Sequence, residues 1–338
     1  MFHRLEGSQA VTFASSSYHI YHLEVDQWRP GHVIYTDRNS LKTSDGTNAR
    51  LIAGSTTQHG YAEGIGGTAR FNDVGGFVQI NANQIIVSDY SNFCMRKIYR
   101  LKGGARTRTL SGRCGTEGYM DGKPGLFTNP WAVVKDKLNQ NQLLVTDRRS
   151  SAVRTVNADT GQLGTFVKSR KLYKLEYLTQ DLAGNLYVTA FQDIYQISYQ
   201  ERDVSLLSGS LAESGFRDGT LWQSLFEGPT DLRFIWNGSL LVSDVSNGRI
   251  RHLNLLSDRV TTLDMCQGCL KSPQSLLLTT DSLYVSDYNK IFRFQCERYQ
   301  FIHCQLENSL ALPNFGYVPG FGGQCLFVIM FQVMGFLG

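Results

Sequence analysis

The sequence predicts an all-β protein, a six-bladed β-propeller of four-stranded antiparallel blades. Three observations predict it: a strand signature that recurs six times, glycine-rich loops that precede several copies, and a unit that divides into four short strands. The composition agrees, because 33 glycines and 12% aromatic residues are typical of packed strands joined by tight turns. A chain of 338 residues is long enough to bury a large core.

The recurring signature is an apolar run that usually ends in an aspartate, as in QIIVSDYSN and SLLVSDVSN. The last strand position of the signature, which is usually the aspartate, recurs at intervals of 52, 58, 43, 54 and 43 residues. These intervals indicate a repeated unit with insertions. The fourth copy carries Ala190 in place of the aspartate. The other five copies carry Asp37, Asp89, Asp147, Asp244 and Asp287.

Residues 228 to 264 show most clearly that one unit contains four strands. The runs PTDLRFI, SLLVSD, RIRHLNL and VTTLD are separated by turns rich in Asn, Gly, Ser and Asp. The last unit divides similarly into PQSLLLT, LYVSD, KIFRF and FIHCQL, between residues 273 and 306. One such meander leaves its faces and edges exposed, so we expect six of them to close into a ring.

The expected propeller spans residues 18–306. The N-terminal segment 1–17 contains Gln9 to Ser15 (QAVTFAS), which we expect to add an outer strand to the last blade and so close the ring. The C-terminal segment 307–338 is an apolar tail. Its apolar stretch is shorter than a membrane-spanning helix requires. The tail could be a truncated membrane segment, a buried strand or a ragged end.

Three glycine-rich segments, which we call the lead-in loops, precede the second, third and fifth units at residues 53–71, 111–127 and 208–226. Alternate turns of a meander lie on opposite faces, so these loops and the strand-end aspartates should share one face. That face is the candidate binding surface, because exposed aromatic residues often anchor interfaces. Its candidate residues are Tyr61, Tyr119, Phe216 and Trp222. Packing between adjacent blades is the alternative role for these rings.

The strand-end aspartates have two possible roles. They could form a partial ring of carboxylates that faces a ligand or cation. Alternatively, each could accept hydrogen bonds from backbone amides of its own turn, which short acidic side chains do well. The structural role is favoured, because the aspartate recurs together with its turn. Arginines that follow these turns could pair with them, namely Arg96, Arg154, Arg249 and Arg251.

The units resemble the NHL-repeat β-propeller family over about residues 18–306. The elements that carry this resemblance are Gly118-Tyr119 to Gly122, Phe127 to Pro130, Val145 to Asp147 and Val153-Arg154. The resemblance implies a ring that binds a protein partner or, in some members, single-stranded RNA. Related six-bladed propellers include lactonase-like hydrolases and a peptide-amidating lyase, which hold a metal in the central channel.

The sequence shows no recognisable catalytic constellation, since its seven histidines are dispersed along the chain. We therefore predict a monomeric, non-catalytic scaffold that binds a protein through the lead-in loop face, without a cofactor or metal. The alternatives are a propeller enzyme with a metal in the channel and a single-stranded RNA binder. RNA is disfavoured because the net charge is only +4.

Seven cysteines leave both redox state and compartment open. Cys266, Cys269, Cys296 and Cys304 lie close enough in sequence to suggest zinc, although buried thiols or one or two disulfides are favoured. The sequence does not assign a compartment. An extracellular or membrane-anchored location, the latter through the C-terminal tail, is favoured over a cytoplasmic one.

Overall fold

The protein is a six-bladed β-propeller, as the sequence predicts. A computed structural model describes residues 10–235, 238–263, 265–266 and 268–295, which form six antiparallel sheets. The inner strands of successive sheets contact one another, and the inner strands of the first and last sheets are also in contact. The sheets therefore close into a ring, with blade 1 opposite blade 4.

The first strand among the described residues is β1 (Val11–Ser15), and blades 1 to 3 follow it. Blade 1 comprises β2 (Leu23–Val25), β3 (Val33–Asp37), β4 (Ser40–Ser44) and β5 (Ala49–Gly54). Blade 2 comprises β6 (Gly64–Ile65), β7 (Val74–Asn81), β8 (Gln84–Asp89), β9 (Cys94–Leu101) and β10 (Gly104–Ser111). Blade 3 comprises β11 (Pro130–Lys135), β12 (Gln142–Asp147), β13 (Ala152–Asn157) and β14 (Leu163–Lys168).

Blades 4 and 5 repeat the four-stranded meander, and blade 6 takes its fourth strand from the start of the chain. Blade 4 comprises β15 (Leu175–Gln180), β16 (Leu186–Ala190), β17 (Asp193–Ile197) and β18 (Val204–Ser208). Blade 5 comprises β19 (Pro229–Ile235), β20 (Ser239–Asp244), β21 (Arg249–Asn254) and β22 (Arg259–Leu263). Blade 6 comprises β23 (Pro273–Leu278), β24 (Ser282–Asp287), β25 (Lys290–Gln295) and β1.

Helical structure in the described residues is limited to single 3₁₀ turns. No helix among these residues has the length and apolar character needed to cross a membrane. The 3₁₀ turns are Gly66–Thr68, Tyr90–Asn92, Arg148–Ser150 and Arg170–Leu172.

Strand β1 forms the outer edge of blade 6. It pairs antiparallel to β25, with Val11 opposite Arg293 and Ser15 opposite Lys290. Ser16 continues the contact, since its amide donates to the carbonyl oxygen of Asn289 over 2.7 Å. The place beside β25 is therefore held by β1. The FIHCQL run at residues 301–306 and the tail at 307–338 lie outside the described residues.

The core lies between the blades, because the second strand of each blade is covered on both faces. Every residue of β3, β20 and β24 is buried. Between blades 1 and 2, for example, Ile34 and Leu41 belong to one apolar cluster with Phe77 and Ile85. Strands buried on both faces read as continuous apolar runs, which is why the signature stands out in the sequence.

The lead-in loops fold back along the outer strands. Strand β6 of the first loop pairs with β10, and single bridges join Gly122 to Leu163 and Gly219 to Val260 in the other two. Each loop thus covers the outer edge of the blade that it precedes, in blades 2, 3 and 5. Covering an outer strand blocks the pairing of that edge with another chain.

Two disulfide bonds occur among the described residues. Cys94 is bonded to Cys114, which ties the start of β9 to the lead-in loop of blade 3. Cys266 is bonded to Cys269. These bonds agree with the one or two disulfides that the sequence favours over a zinc site. Cys296 and Cys304 lie outside the described residues.

Candidate functional site

The strand-end aspartates belong to a buried clamp that recurs around the ring. In blade 2, Arg96 Nη1 lies 2.9 Å from Asp89 Oδ2, and both side chains are fully buried. The same guanidinium donates to the carbonyl oxygens of Arg70 and Ala62, over 3.3 and 3.0 Å. Arg96 therefore fastens the lead-in loop to the end of the second strand.

Blades 3 and 5 contain the same clamp. Arg154 Nη1 lies 3.2 Å from Asp147 Oδ2, and Arg251 Nη1 lies 2.7 Å from Asp244 Oδ2. In each case Nη2 also reaches an aspartate of the lead-in loop over 2.6 Å, and these aspartates are Asp121 and Asp218. Loop, second strand and third strand are thus held by one arginine in each of these blades.

The backbone amides that these aspartates bind lie before the first strand and not in their own turns, which corrects the expectation from sequence. Their own turns contribute side-chain amides instead, since Asn92 donates to Asp89 and Asn247 donates to Asp244, each over 2.9 Å. Asp89 accepts from the amide of Asn72 over 2.8 Å, and Asp147 accepts from the amide of Asn129 over 2.5 Å. Asp287 likewise accepts from the amide of Ser272 over 2.5 Å. The reason is the strand register, because the start of the first strand lies opposite the end of the second.

Blades 1 and 4 vary the clamp. In blade 1, Lys42 pairs with Asp37, which also accepts from Ser16 Oγ over 2.6 Å. In blade 4, Asp193 stands directly across the ladder from Ala190, and it accepts from the hydroxyl of Tyr195 over 3.4 Å. All five strand-end aspartates are buried. Within the described ranges, no group of three or more His, Cys, Asp or Glu side chains is placed to hold a metal ion.

The four aromatic residues predicted as a binding surface do not come together. The rings of Tyr61, Tyr119 and Phe216 lie 4.8, 4.5 and 4.9 Å from the guanidinium carbons of the three clamp arginines. They therefore cover the clamps at the outer edges of blades 2, 3 and 5. Trp222, in the third lead-in loop, is 68% exposed. The structure thus distributes these residues around the rim.

Aromatic side chains converge instead at one end of the central axis, in a cluster that we call the channel mouth. Trp131 lies at its base, with ring centroids 5.2 Å from Tyr21 and 5.0 Å from Tyr90, both in edge-to-face contact. His19 lies 5.7 Å from Tyr21 and 3.9 Å from Tyr288. The segment before blade 1 and blades 2, 3 and 6 all contribute. The channel mouth comprises His19, Tyr21, Tyr90, Trp131, Arg148, Glu176 and Tyr288.

The sequence does contain a signal for this site. Tyr90, Arg148 and Tyr288 each follow a strand-end aspartate directly, and Trp131 follows the first residue of β11. The ends of the second strands and the starts of the first strands lie at the same end of the axis. Tyr90, Arg148 and Tyr288 therefore lie at the end of the axis where Trp131 lies.

The base of the channel mouth is tightly built. Trp131 packs over Gly75 of blade 2, where an added Cβ would lie only 2.8 Å from the indole ring. Only 7% of Trp131 is exposed. Its Nε1 has no hydrogen-bond acceptor among the described residues. This nitrogen lies within the packed base of the site, where almost none of its surface is accessible.

A hydrogen bond across the axis forms the floor below Trp131. The hydroxyl of Tyr177 in blade 4 donates to the backbone oxygen of Tyr21 over 2.5 Å. Burial raises the pKa of Tyr177 well above its ordinary value, so this hydroxyl stays protonated. His22 packs between Phe77 and Tyr177, at 4.8 and 5.8 Å. These side chains occupy the axis at this level.

An ion pair supplies the charge of the channel mouth. Arg148 Nη2 contacts Glu176 Oε1, and the guanidinium carbon lies 4.7 Å from the Trp131 ring and 5.9 Å from the Tyr90 ring. Burial raises the pKa of Glu176 to about 7, although Arg148 acts to lower it. Near neutral pH this carboxyl group is therefore divided between its protonated and ionised forms.

Comparison with known proteins identifies the fold. No family model and no curated protein matches the chain. Among solved structures, an auxiliary nutrient binding protein from Bacteroides ovatus matches with a TM-score of 0.64 and 13% identity, covering 86% of this chain and 73% of its own. Virginiamycin B lyase from Staphylococcus aureus matches with a TM-score of 0.55 and 11% identity, covering 86% and 99%. A chain of a nidogen/laminin complex matches with a TM-score of 0.55 and 15% identity, covering 76% and 85%.

These likenesses show the fold alone, since every identity is low. The structure and the comparisons together define a six-bladed β-propeller. Its distinguishing local features are the repeated arginine clamps and the aromatic channel mouth.

Proposed function

We propose that this propeller is a non-catalytic binding module that docks a protein partner at the channel mouth. The observation that carries the proposal is the convergence of Trp131, three tyrosines and an arginine from different blades on one end of the axis. Trp, Tyr and Arg are the residue types that dominate the binding energy of protein interfaces. Anchor residues also tend to lie near the centre of an interface, as this cluster does.

The accessibility of the rings supports the same function. Trp131 is almost fully buried, whereas Tyr288 is 51% exposed. A partner can therefore contact the outer rings while the base of the site stays fixed. The solved structures that share the fold include a nutrient binding protein and a chain of a nidogen/laminin complex. Both are consistent with a ring used for binding.

We also propose an NHL-type repeat and an extracellular location. The order of the glycine-rich loop, the strand-end aspartate and the following arginine supports the repeat type, because these elements meet in one clamp. The Cys94–Cys114 disulfide supports the location, since such bonds persist in oxidising compartments. The enzyme and RNA alternatives stay predictions.

Affinity capture with matched variants tests the proposed function. The full chain is immobilised and incubated with an extracellular extract from the source organism, and retained proteins are identified by mass spectrometry. We expect a partner that the wild type retains and the Tyr90→Ala/Tyr288→Ala variant loses. Trp222→Ala is the control, because it removes an exposed aromatic residue at the rim. A partner lost with the control variant and kept by the mouth variant would contradict the proposal.

A further inference from the structure

The two disulfide bonds of the described residues differ in how far their sulfurs are exposed. Cys94 is fully buried at the start of β9, whereas Cys114 is partly exposed. Cys266 and Cys269 are both partly exposed, in the short connection between β22 and β23. Exposed disulfides are the ones that exchange readily with thiols. The Cys266–Cys269 bond is therefore the candidate for exchange chemistry.

The two bonds also differ in the length of chain that they close. Cys94 and Cys114 are 20 residues apart, whereas Cys266 and Cys269 are three residues apart. A bond that closes a long loop restricts the unfolded chain more than a bond that closes a short one. The Cys94–Cys114 bond also joins strand β9 of blade 2 to the lead-in loop of blade 3. Opening of the Cys266–Cys269 bond should therefore cost the fold less.

Contacts on both sides of Cys266 and Cys269 hold this connection without the help of the sulfurs. Met265 and Leu270 are 4% and 7% exposed, and they belong to the apolar cluster of blades 5 and 6. Asp287 accepts from the amides of Lys271 and Ser272 over 2.8 and 2.5 Å. Two thiols formed by reduction would therefore stay close to each other, and the bond can open and close in the folded protein.

A cavity lies beside Cys266. Its volume is about 460 Å³, and its lining includes Cys266 but not Cys269. Most of the lining residues are apolar, among them Ile250 and Leu263. Concave sites of this size and character suit small organic molecules. Gly268 also lines the cavity, and a Cβ added there would meet no atom within 4 Å, so the backbone beside the disulfide leaves open space.

We propose that the Cys266–Cys269 disulfide is a thiol–disulfide exchange site for a small-molecule thiol bound in this cavity. This function goes beyond docking at the channel mouth and does not depend on it. Because Cys266 lines the cavity, it is the sulfur that the incoming thiolate attacks, and Cys269 is the leaving sulfur. The thiolate formed at Cys269 is partly solvated. Attack on Cys114 would instead release a thiolate at the fully buried Cys94, which burial disfavours.

The exchange proceeds in two balanced steps. In the first, the thiolate of the small molecule forms a bond with Cys266 Sγ while the Cys266–Cys269 bond breaks. The electron pair of the broken bond leaves on Cys269 Sγ, which takes up a proton from solvent. In the second, another small-molecule thiolate attacks the sulfur bound to Cys266 and releases the small molecule as its symmetrical disulfide. Two thiols are thus oxidised to one disulfide, and the protein disulfide is reduced to two thiols.

Peptide mapping of the full chain after exposure to reduced glutathione tests the inference. Samples are quenched with N-ethylmaleimide at successive times and digested with trypsin. Residues 260–271 form one tryptic peptide that contains both Cys266 and Cys269, whereas Cys94 and Cys114 fall in separate peptides. We expect maleimide to label the 260–271 peptide at least about tenfold faster than the peptides of Cys94 and Cys114. The far-UV circular dichroism of the folded chain should not change.

Two matched variants test which sulfur faces the cavity. Cys269→Ser leaves the thiol of Cys266, and Cys266→Ser leaves the thiol of Cys269. Both variants lack the same disulfide, so its loss affects their folds equally. With oxidised glutathione, Cys269→Ser should form its mixed disulfide at least about tenfold faster than Cys266→Ser. Equal rates would mean that the cavity does not direct the exchange, and would overturn the proposal.

The mapping experiment has two further outcomes that contradict the proposal. Equal rates of opening for the two disulfides, or loss of circular dichroism when Cys266–Cys269 opens, would show that this bond serves structure alone. Reduced thioredoxin is the comparison for the source of the thiol. If it opens the bond while glutathione and free cysteine do not, the substrate is a protein thiol and the assignment to a small molecule is wrong.

Discussion

The Tyr177 hydroxyl donates to the backbone oxygen of Tyr21 across the central axis, from blade 4 to the segment before blade 1. This bond links two segments that are 156 residues apart in the chain. It sets the depth of the channel mouth, because the aromatic side chains around it occupy the axis. The site therefore depends on a contact between blades that are not neighbours.

The Tyr177→Phe variant should lower the free energy of unfolding by about 1–2 kcal/mol, since the buried carbonyl of Tyr21 loses its donor. Chemical denaturation with urea measures this change. Tyr173→Phe is the control, because Tyr173 is in the same part of the chain but 58% exposed. A change of this size in the control, or none in Tyr177→Phe, would show that the cross-axis bond does not stabilise the ring.

The arginine clamps should be among the most sensitive positions in the protein. Arg154→Met leaves the carboxylate of Asp147 buried without its cation, which typically costs about 3–5 kcal/mol. Arg149→Met removes an exposed arginine of the same blade and should change stability by less than about 0.5 kcal/mol. Urea denaturation of both variants compares them. Similar stabilities would mean that the clamp contributes little beyond its packing.

Removal of strand β1 should weaken the whole ring. Deletion of residues 1–16 opens the outer edge of β25 and removes the Ser16 contacts with Asn289 and Asp37. We expect the melting temperature to fall by roughly 5 °C or more, as for a loss of a few kcal/mol in a chain of this size. Deletion of residues 1–8 retains β1 and serves as the control. Unchanged melting of the longer deletion would reject β1 as a closing strand.

The pH dependence of stability should reveal Glu176. The pKa of Glu176 is about 7 in the folded protein, whereas its ordinary value, which applies to the unfolded chain, is 4.5. Between these two pH values the folded protein therefore keeps a proton that the unfolded chain has released. The contribution to stability is therefore present below about 4.5 and is lost as the pH rises through about 7. Relative to wild type, Glu176→Gln should gain stability between pH 5 and pH 8. Thermal melts at both values measure this, with Glu117→Gln at the exposed rim as the control.

The fold could be predicted from sequence because the residues that repeat along the chain are buried in every blade. Each second strand is covered on both faces, so its apolar run and terminal aspartate recur where the architecture recurs. Blade 4 varies this pattern locally, because Ala190 stands at the strand end and the aspartate, Asp193, lies opposite it on the next strand. The expected joining of Gln9 to Ser15 with the last blade also follows from the need to cover an edge.

The candidate site was harder to predict, because a search for repeats selects residues that build every blade. Tyr61, Tyr119 and Phe216 recur because each covers an arginine clamp. Their repetition along the chain therefore reflects a structural role and not a binding role. The residues at the channel mouth differ from copy to copy. The position after each strand-end aspartate holds Arg, Tyr, Arg, Val or Tyr, in the order of residues 38, 90, 148, 245 and 288. Contacts across the axis have no sequence signal at all.

The pairing of β1 with β25 also has a consequence for synthesis on the ribosome. Asn289 donates to the backbone oxygen of Ser16, which is 273 residues earlier in the chain. Strand β1 is therefore translated before blades 1 to 5, and its partner β25 is translated after them. Blades 1 to 5 can form their own sheets as they emerge, but the circle closes only after β25 has left the exit tunnel. During that interval β1 lacks its partner strand, and an unpaired strand can pair with other chains.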